Sequence, residues 1–180
     1  MRGVGPPPHA ENMRSASQLQ RIAHLHGMFG LGSDGAIAVS WLQQYQMAMS
    51  NMGPAYQPGA IGFGTDLNGV VKGPRKGHVV YGNGSNGTFG LAKSNVTLPP
   101  GGVIHEWDYN ASGVAHYGML PEFIWDVRQM PPPPLPAGPL MPAPIAAIPG
   151  TAMVDNHLLR SADYFLHMWQ TAEAQSRNVH

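Results

Sequence analysis

The sequence contains no cysteine, which excludes disulfide frameworks, thiolate zinc sites, iron–sulfur clusters and cysteine nucleophiles. Charge is also scarce, because Asp, Glu, Lys and Arg make up only 11% of the 180 residues, against about 25% in an average soluble domain. The ten acidic and ten basic residues balance, so the composition predicts no nucleic-acid partner. No apolar run approaches the roughly 18 residues of a membrane span, and none is predicted.

Glycine and proline are abundant instead, with 23 and 18 residues, well above average usage. Their distribution divides the chain. Residues 1–14 form an irregular segment, and residues 15–130 contain the periodic elements together with a long loop. Residues 131–149 hold nine prolines and are interpreted as an insert or linker. Residues 150–180 are predicted to form the C-terminal helix of the same domain.

Hydrophobic periodicity predicts a helix, a strand, a second helix and a second strand in the first third of the chain. The first helix is capped by Ser15 or Ser17 and ends at Gly27, and an apolar run at 28–32 follows as a buried strand. Residues 39–52 form an amphipathic helix, and residues 60–64 form another buried strand. This order favours a parallel α/β arrangement in which the two strands are neighbours.

The rest of the chain carries fewer signals. Residues 73–102 are predicted to be a long Gly- and Asn-rich connection, and residues 118–129 a helix with Pro121 in its first turn. Residues 155–176 are predicted to form one helix with a single apolar stripe. That stripe consists of Leu158, Leu159, Ala162, Phe165, Leu166 and Trp169.

Asp66 is the most informative candidate for chemistry. It follows the second strand on a glycine-flanked turn, and active sites in parallel α/β folds lie beyond the carboxyl ends of the strands. A carboxylate there could take part in catalysis. An aspartate that only forms an Asx turn explains the same spacing.

Histidines give two further candidates. His24 and His26 have the His-x-His spacing of a zinc pair, but they fall at a helix C-terminus, where histidine also interacts favourably with the helix dipole. His116 precedes a predicted helix start and could be a ligand, a substrate contact or a structural residue.

Several segments together resemble one family, the membrane (renal) dipeptidases. Residues 60–69 (AIGFGTDLNG) are similar to the eighth-strand motif of that family, and residues 47–53 (MAMSNMG) to the helix before that strand. Residues 108–124 (DYNASGVAHYGMLPEFI) resemble a later family segment, and residues 158–165 (LLRSADYF) resemble the C-terminal helix. The pieces occur in the family order, and the proline-rich segment is not part of the pattern.

The resemblance implies an α/β fold, the C-terminal part of a (β/α)8 TIM-type barrel. It would comprise the last two strand–helix units, a loop-rich extension and the C-terminal helices. It also implies two zinc ions in the complete enzyme, held by His, Asp and Glu ligands expected upstream of Met1, so no metal ligand is assigned in this chain. Asp66 matches the aspartate that moves the proton between the hydroxide and the leaving amine. Arg14 lies near the arginine that binds the substrate carboxylate, and Asn68 stands where animal relatives have a second aspartate.

These features predict the C-terminal part of a zinc-dependent hydrolase that cleaves dipeptides, inactive as this chain alone. The alternative is a non-catalytic binding or assembly module derived from a half-barrel. A barrel fragment leaves strand edges unpaired, so the sequence also predicts self-association.

Overall fold

The computed structural model describes residues 14–33, 36–65, 74, 93–96, 105–109, 113–134 and 146–177. These ranges are mixed α/β and mostly helical. Their helices are α1 (Ala16–His24), α2 (Ala38–Met52), α3 (Leu120–Gln129), α4 (Gly150–Asn156) and α5 (Ser161–Arg177). Their strands are β1 (Phe29–Gly32), β2 (Ile61–Gly64), β3 (Lys93–Val96) and β4 (His105–Asp108). Short 3-10 turns occur at Gly53–Ala55, Tyr117–Met119 and Leu158–Arg160.

Helix α1 begins with a capping box. The Ser15 hydroxyl accepts from the Gln18 N–H at 3.3 Å, and the Gln18 side chain accepts from the Ser15 N–H at 2.8 Å. Each bond satisfies a backbone donor near the start of the helix. Ser15, one of the two predicted caps, is therefore the N-cap.

The end of α1 differs from the prediction. The left-handed residue is His26, with φ of 55°, and Gly27 comes one position later. The Gly27 N–H donates to the Ile22 carbonyl at 2.8 Å and the His26 N–H donates to the Ala23 carbonyl at 3.0 Å. This is the Schellman arrangement, which needs a left-handed residue at the position that His26 occupies.

Strands β1 and β2 are adjacent and parallel, as predicted, with Phe29 opposite Ile61 and Gly32 opposite Gly64. Helix α2 connects them. It is buried on most sides, with Trp41, Leu42 and Tyr45 fully inaccessible. The strands and α2 therefore form a β-α-β unit with the connecting helix at the centre of the core.

Aromatic rings join this unit to α3. The Trp41 ring lies 5.2 Å from that of Phe63 and 6.2 Å from that of Phe123, and the Phe63 and Phe123 rings are 5.7 Å apart. These edge-on and tilted contacts are geometries that aromatic pairs prefer. They fix α3 beside the end of β2.

The proline-rich segment leaves and rejoins the fold at one place. The Gly150 N–H donates to the Met130 carbonyl at 2.9 Å, which joins the end of α3 to the start of α4. Gln46 of α2 holds the returning chain, because its side-chain amide donates to the Ala146 carbonyl and accepts from the Ile148 N–H, both at 3.2 Å. Residues 131–134 and 146–149 are not helical. Residues 135–145 lie outside the described ranges.

The single helix predicted for residues 155–176 is wrong, because the chain breaks at His157 into α4, a 3-10 turn and α5. The His157 Nδ1 lies 2.8 Å from the Tyr56 hydroxyl, and the two rings stack. A Cβ on Gly59 would lie only 2.8 Å from the Arg160 carbonyl oxygen. Tertiary contacts with the turn before β2 thus override the local helical pattern.

Most of the predicted apolar stripe faces solvent. Leu158 is buried, but Leu159, Phe165, Leu166 and Trp169 are 65%, 49%, 54% and 60% exposed. Helix α5 turns Tyr164 inward. Leu25, which follows α1, is 62% exposed as well.

A second sheet was not predicted. Strand β3 lies within the segment predicted to be a long Gly- and Asn-rich connection, and it pairs antiparallel with β4, with Lys93 opposite Asp108 and Val96 opposite His105. Glycine and asparagine around these short strands hide the alternation that would have indicated them.

Candidate functional site

The carboxyl ends of β1 and β2 are tied together. Ser33, directly after β1, is fully buried, and its hydroxyl donates to the Thr65 carbonyl at 3.1 Å. Thr65 is the residue after β2. The polar groups that follow both strands therefore meet at one edge of the sheet, the edge where parallel α/β proteins bind ligands.

Asp66 is the next residue of the chain after Thr65. Asp66 and Asn68 both lie outside the described residues, so their predicted roles remain predictions. Arg14 is described and exposed, just before the cap of α1. Of the two predicted substrate-binding residues, the described ranges therefore include Arg14 but not Asn68.

Helix α3 carries two buried carboxyl groups that sequence analysis did not identify. Glu122 is 1% exposed and Asp126 is fully buried, and their spacing of four residues places them on one face of the helix. The Tyr109 hydroxyl, also buried, donates to Asp126 Oδ2 at 2.6 Å. Such a short bond to a carboxyl oxygen is typical of a strong hydrogen bond in a dry environment.

Burial raises the pKa of the Glu122 carboxyl above its ordinary value, and the positive charge of His116 opposes that shift. The sequence carries no clear signal that this acid pair is buried. Glu122 and Asp126 each precede an apolar residue of the buried column, Phe123 and Val127. Carboxylates beside an apolar column are equally typical of the polar edge of an amphipathic helix.

His116 makes a structural hydrogen bond, which agrees with the structural role that is one of its three predicted alternatives. Its Nδ1 accepts from the Gly118 N–H at 3.2 Å, which caps the 3-10 turn before α3. His116 thereby holds the entry to the helix that carries the acid pair.

His24 and His26 are both exposed, and the His26 Nδ1 lies 3.2 Å from the Gln57 side-chain amide. No group of three or more His, Asp and Glu side chains in the described ranges is arranged to hold a metal ion. The zinc ligands that the resemblance implies are expected upstream of Met1, outside these ranges. No helix in the same ranges is long and apolar enough to cross a bilayer.

Comparison of the chain with protein-family models, with curated proteins and with solved structures finds no match.

Proposed function

We propose that this chain is the carboxyl-terminal part of a hydrolase that cleaves the amide bond of dipeptides or similar small amides, with Asp66 as its general acid/base. The observation that carries the proposal is the parallel β1–α2–β2 unit with Ser33 bonded to Thr65 at its carboxyl edge. The last two strand–helix units of a TIM-type barrel would have this connection. The segment that resembles the eighth-strand motif of the dipeptidases, residues 60–69, contains β2 and continues through Asp66.

Asp66 would act on protons in this scheme. Its carboxylate takes a proton from the attacking water while the water oxygen bonds to the amide carbon. It then delivers that proton to the leaving nitrogen as the C–N bond breaks. A positioned acid/base of this kind contributes about 10²–10⁴-fold to the rate. Zinc belongs to the proposal only for the complete enzyme, with ligands outside the described residues.

The test begins with the DNA upstream of Met1, where the proposal requires an open frame encoding a His-x-Asp pair and further histidines. The whole frame is then expressed and assayed for amino-acid release from a panel of dipeptides. The Asp66→Asn variant keeps the side-chain size and hydrogen bonding, and should lower kcat by at least about 100-fold with a smaller effect on KM.

Asp163→Asn is the matched control, because Asp163 is an exposed carboxylate on α5. It should leave turnover unchanged. An Asp66→Asn enzyme within about threefold of wild type would reject the catalytic role in favour of an Asx turn. If no upstream frame exists, or if the whole frame cleaves no dipeptide, the hydrolase proposal fails.

The second candidate is a non-catalytic binding or assembly module. It is favoured by one observation, the apolar face that α5 exposes to solvent. Exposed apolar patches of this size mark interaction surfaces, which an assembly module requires.

A further inference from the structure

Helix α5 has a buried inner face and a solvent-exposed outer face. Tyr164 is buried and Met168 is packed against the core, and both lie on the inner face. The outer stripe, on the other side of the helix, consists of Leu159, Ala162, Phe165, Leu166 and Trp169. Leu159 belongs to the 3-10 turn that leads into the helix.

The outer stripe exposes more apolar area than isolated apolar side chains on a protein surface do. Its four large side chains are each about half exposed or more, and at about 150–250 Å² per large side chain they present roughly 450 Å² to water. The largest apolar patch of a typical monomer is about 300–600 Å² and is often functional. The stripe therefore has the size of an interaction surface.

The spacing of the stripe makes it complementary to itself. Leu159, Ala162, Leu166 and Trp169 follow one another at steps of three, four and three, which is the seam spacing of paired helices. When two copies of this helix pair antiparallel on their outer faces, with the twofold axis level with Tyr164, Ala162 faces Leu166 of the other copy and Leu159 faces Trp169. Each layer then combines a large residue with a smaller one, so that the seam can close.

Charge also favours a second copy over other occupants. The chain has equal numbers of acidic and basic residues, so two copies do not repel each other at long range. The stripe itself contains no charged residue, and beyond its end Glu173 is paired with Arg177 of the same helix. The exposed charged residues beside the stripe are mixed in sign, Arg160 and Asp163, with the Glu173–Arg177 pair beyond its end and no lysine, whereas helices that lie on anionic membranes carry an excess of lysine and arginine there.

We infer that the outer stripe of α5 is the self-association surface of this protein, in which two copies pair their α5 helices antiparallel. This inference does not rest on the proposed hydrolase function. The stripes would bury about 900 Å² in total, and flanking side chains bring this towards the roughly 1,200 Å² of a small specific interface. Because this area lies at the low end for specific interfaces, we expect a weak, reversible dimer.

Sedimentation of the full chain across micromolar concentrations tests the inference. Wild type should pass from monomer to dimer, and Leu166→Arg should weaken association at least 100-fold because it places a charge in the seam. Gln175→Arg is the matched control, since it adds the same charge at an exposed position of α5 off the stripe, and it should dimerise like wild type. The inference is refuted if wild type stays monomeric at 200 µM. It is also refuted if Leu166→Arg and Gln175→Arg associate equally strongly.

The absence of cysteine allows the orientation to be tested directly. Copies with Ala162→Cys are mixed with copies carrying Leu166→Cys and treated with a short thiol crosslinker. The antiparallel arrangement predicts crosslinks between the two different copies. Crosslinks mainly between identical copies would indicate a parallel pair and overturn the proposed geometry. Binding of wild type to vesicles containing phosphatidylserine, in preference to dimerisation, would assign the stripe to a membrane surface instead.

Discussion

Helix α4 approaches the end of α3 closely at Gly150, the first residue of α4. A Cβ there would lie 1.8 Å from the Val127 carbonyl oxygen, 2.9 Å from the Val127 carbonyl carbon and 3.1 Å from the Met130 carbonyl oxygen. All of these neighbours are backbone atoms at the end of α3, so no side chain can turn away to make room. Gly150→Ala must therefore separate α4 from α3 by roughly 1.5 Å to restore ordinary contact.

The cost of that separation follows from what it breaks. Overpacking costs about 1–3 kcal/mol, and loss of the Gly150–Met130 hydrogen bond adds about 1 kcal/mol. Alanine recovers up to about 1 kcal/mol through its better helix propensity. The expected net loss of unfolding free energy is about 1–3 kcal/mol, or a fall in Tm of roughly 2–12 °C for a chain of this length.

Gly30→Ala is the matched control, because a Cβ on Gly30 in β1 meets no atom within 4 Å. Its Tm should be unchanged or slightly higher, since alanine restricts the unfolded chain. Both variants are compared with wild type by thermal unfolding followed by circular dichroism and tryptophan fluorescence. If Gly150→Ala melts within about 1 °C of Gly30→Ala, α3 and α4 are not in this close contact and the reasoning is refuted.

The remaining predictions concern pH. Burial holds the pKa of Glu122 above its ordinary value, so the native state retains this proton longer than the unfolded state. The unfolding free energy is therefore higher at acid pH and falls as the pH rises from the ordinary glutamate range. When it is measured by urea unfolding at several pH values, Glu122→Gln should reduce that fall, and an unchanged pH dependence would contradict a raised pKa. His157 has the opposite sign, because burial and then the charge of Arg160 lower its pKa. The contribution of His157 to the unfolding free energy is present above the ordinary histidine range and is lost as the pH falls through the lowered pKa. His157→Asn should therefore lose less unfolding free energy than wild type between pH 7 and pH 5. Equal losses in the two proteins would count against the shift.

The sequence was sufficient to predict the β1–α2–β2 unit because each of its signals is local. A capping serine, apolar runs between glycines and a helix-spaced apolar pattern each indicate one element, and the alternating order of helices and strands then favours parallel neighbouring strands. The register of Phe29 opposite Ile61 agrees with those element boundaries. Long-range contacts were not required for any of these steps.

The C-terminal region was not predictable in the same way. Its apolar spacing indicates one continuous helix, yet the contacts that divide it come from Tyr56 and Gly59, about a hundred residues earlier in the chain. An apolar stripe also predicts burial without saying what buries it. On α5 the spacing was correct, but the stripe faces solvent in this chain.

The buried acid pair shows why a functional site is harder to predict than a fold. Isolated carboxylates in a helix usually mark a solvated face, and only the position of α3 against the core makes Glu122 and Asp126 inaccessible. Once they are buried, the Tyr109 hydroxyl that donates to Asp126 comes from the residue after β4, seventeen positions earlier in the chain. The burial that raises the pKa of Glu122 is therefore a product of tertiary packing. Residue spacing can indicate which side chains share a helix face, but the solvation that sets their pKa depends on which other segment covers that face.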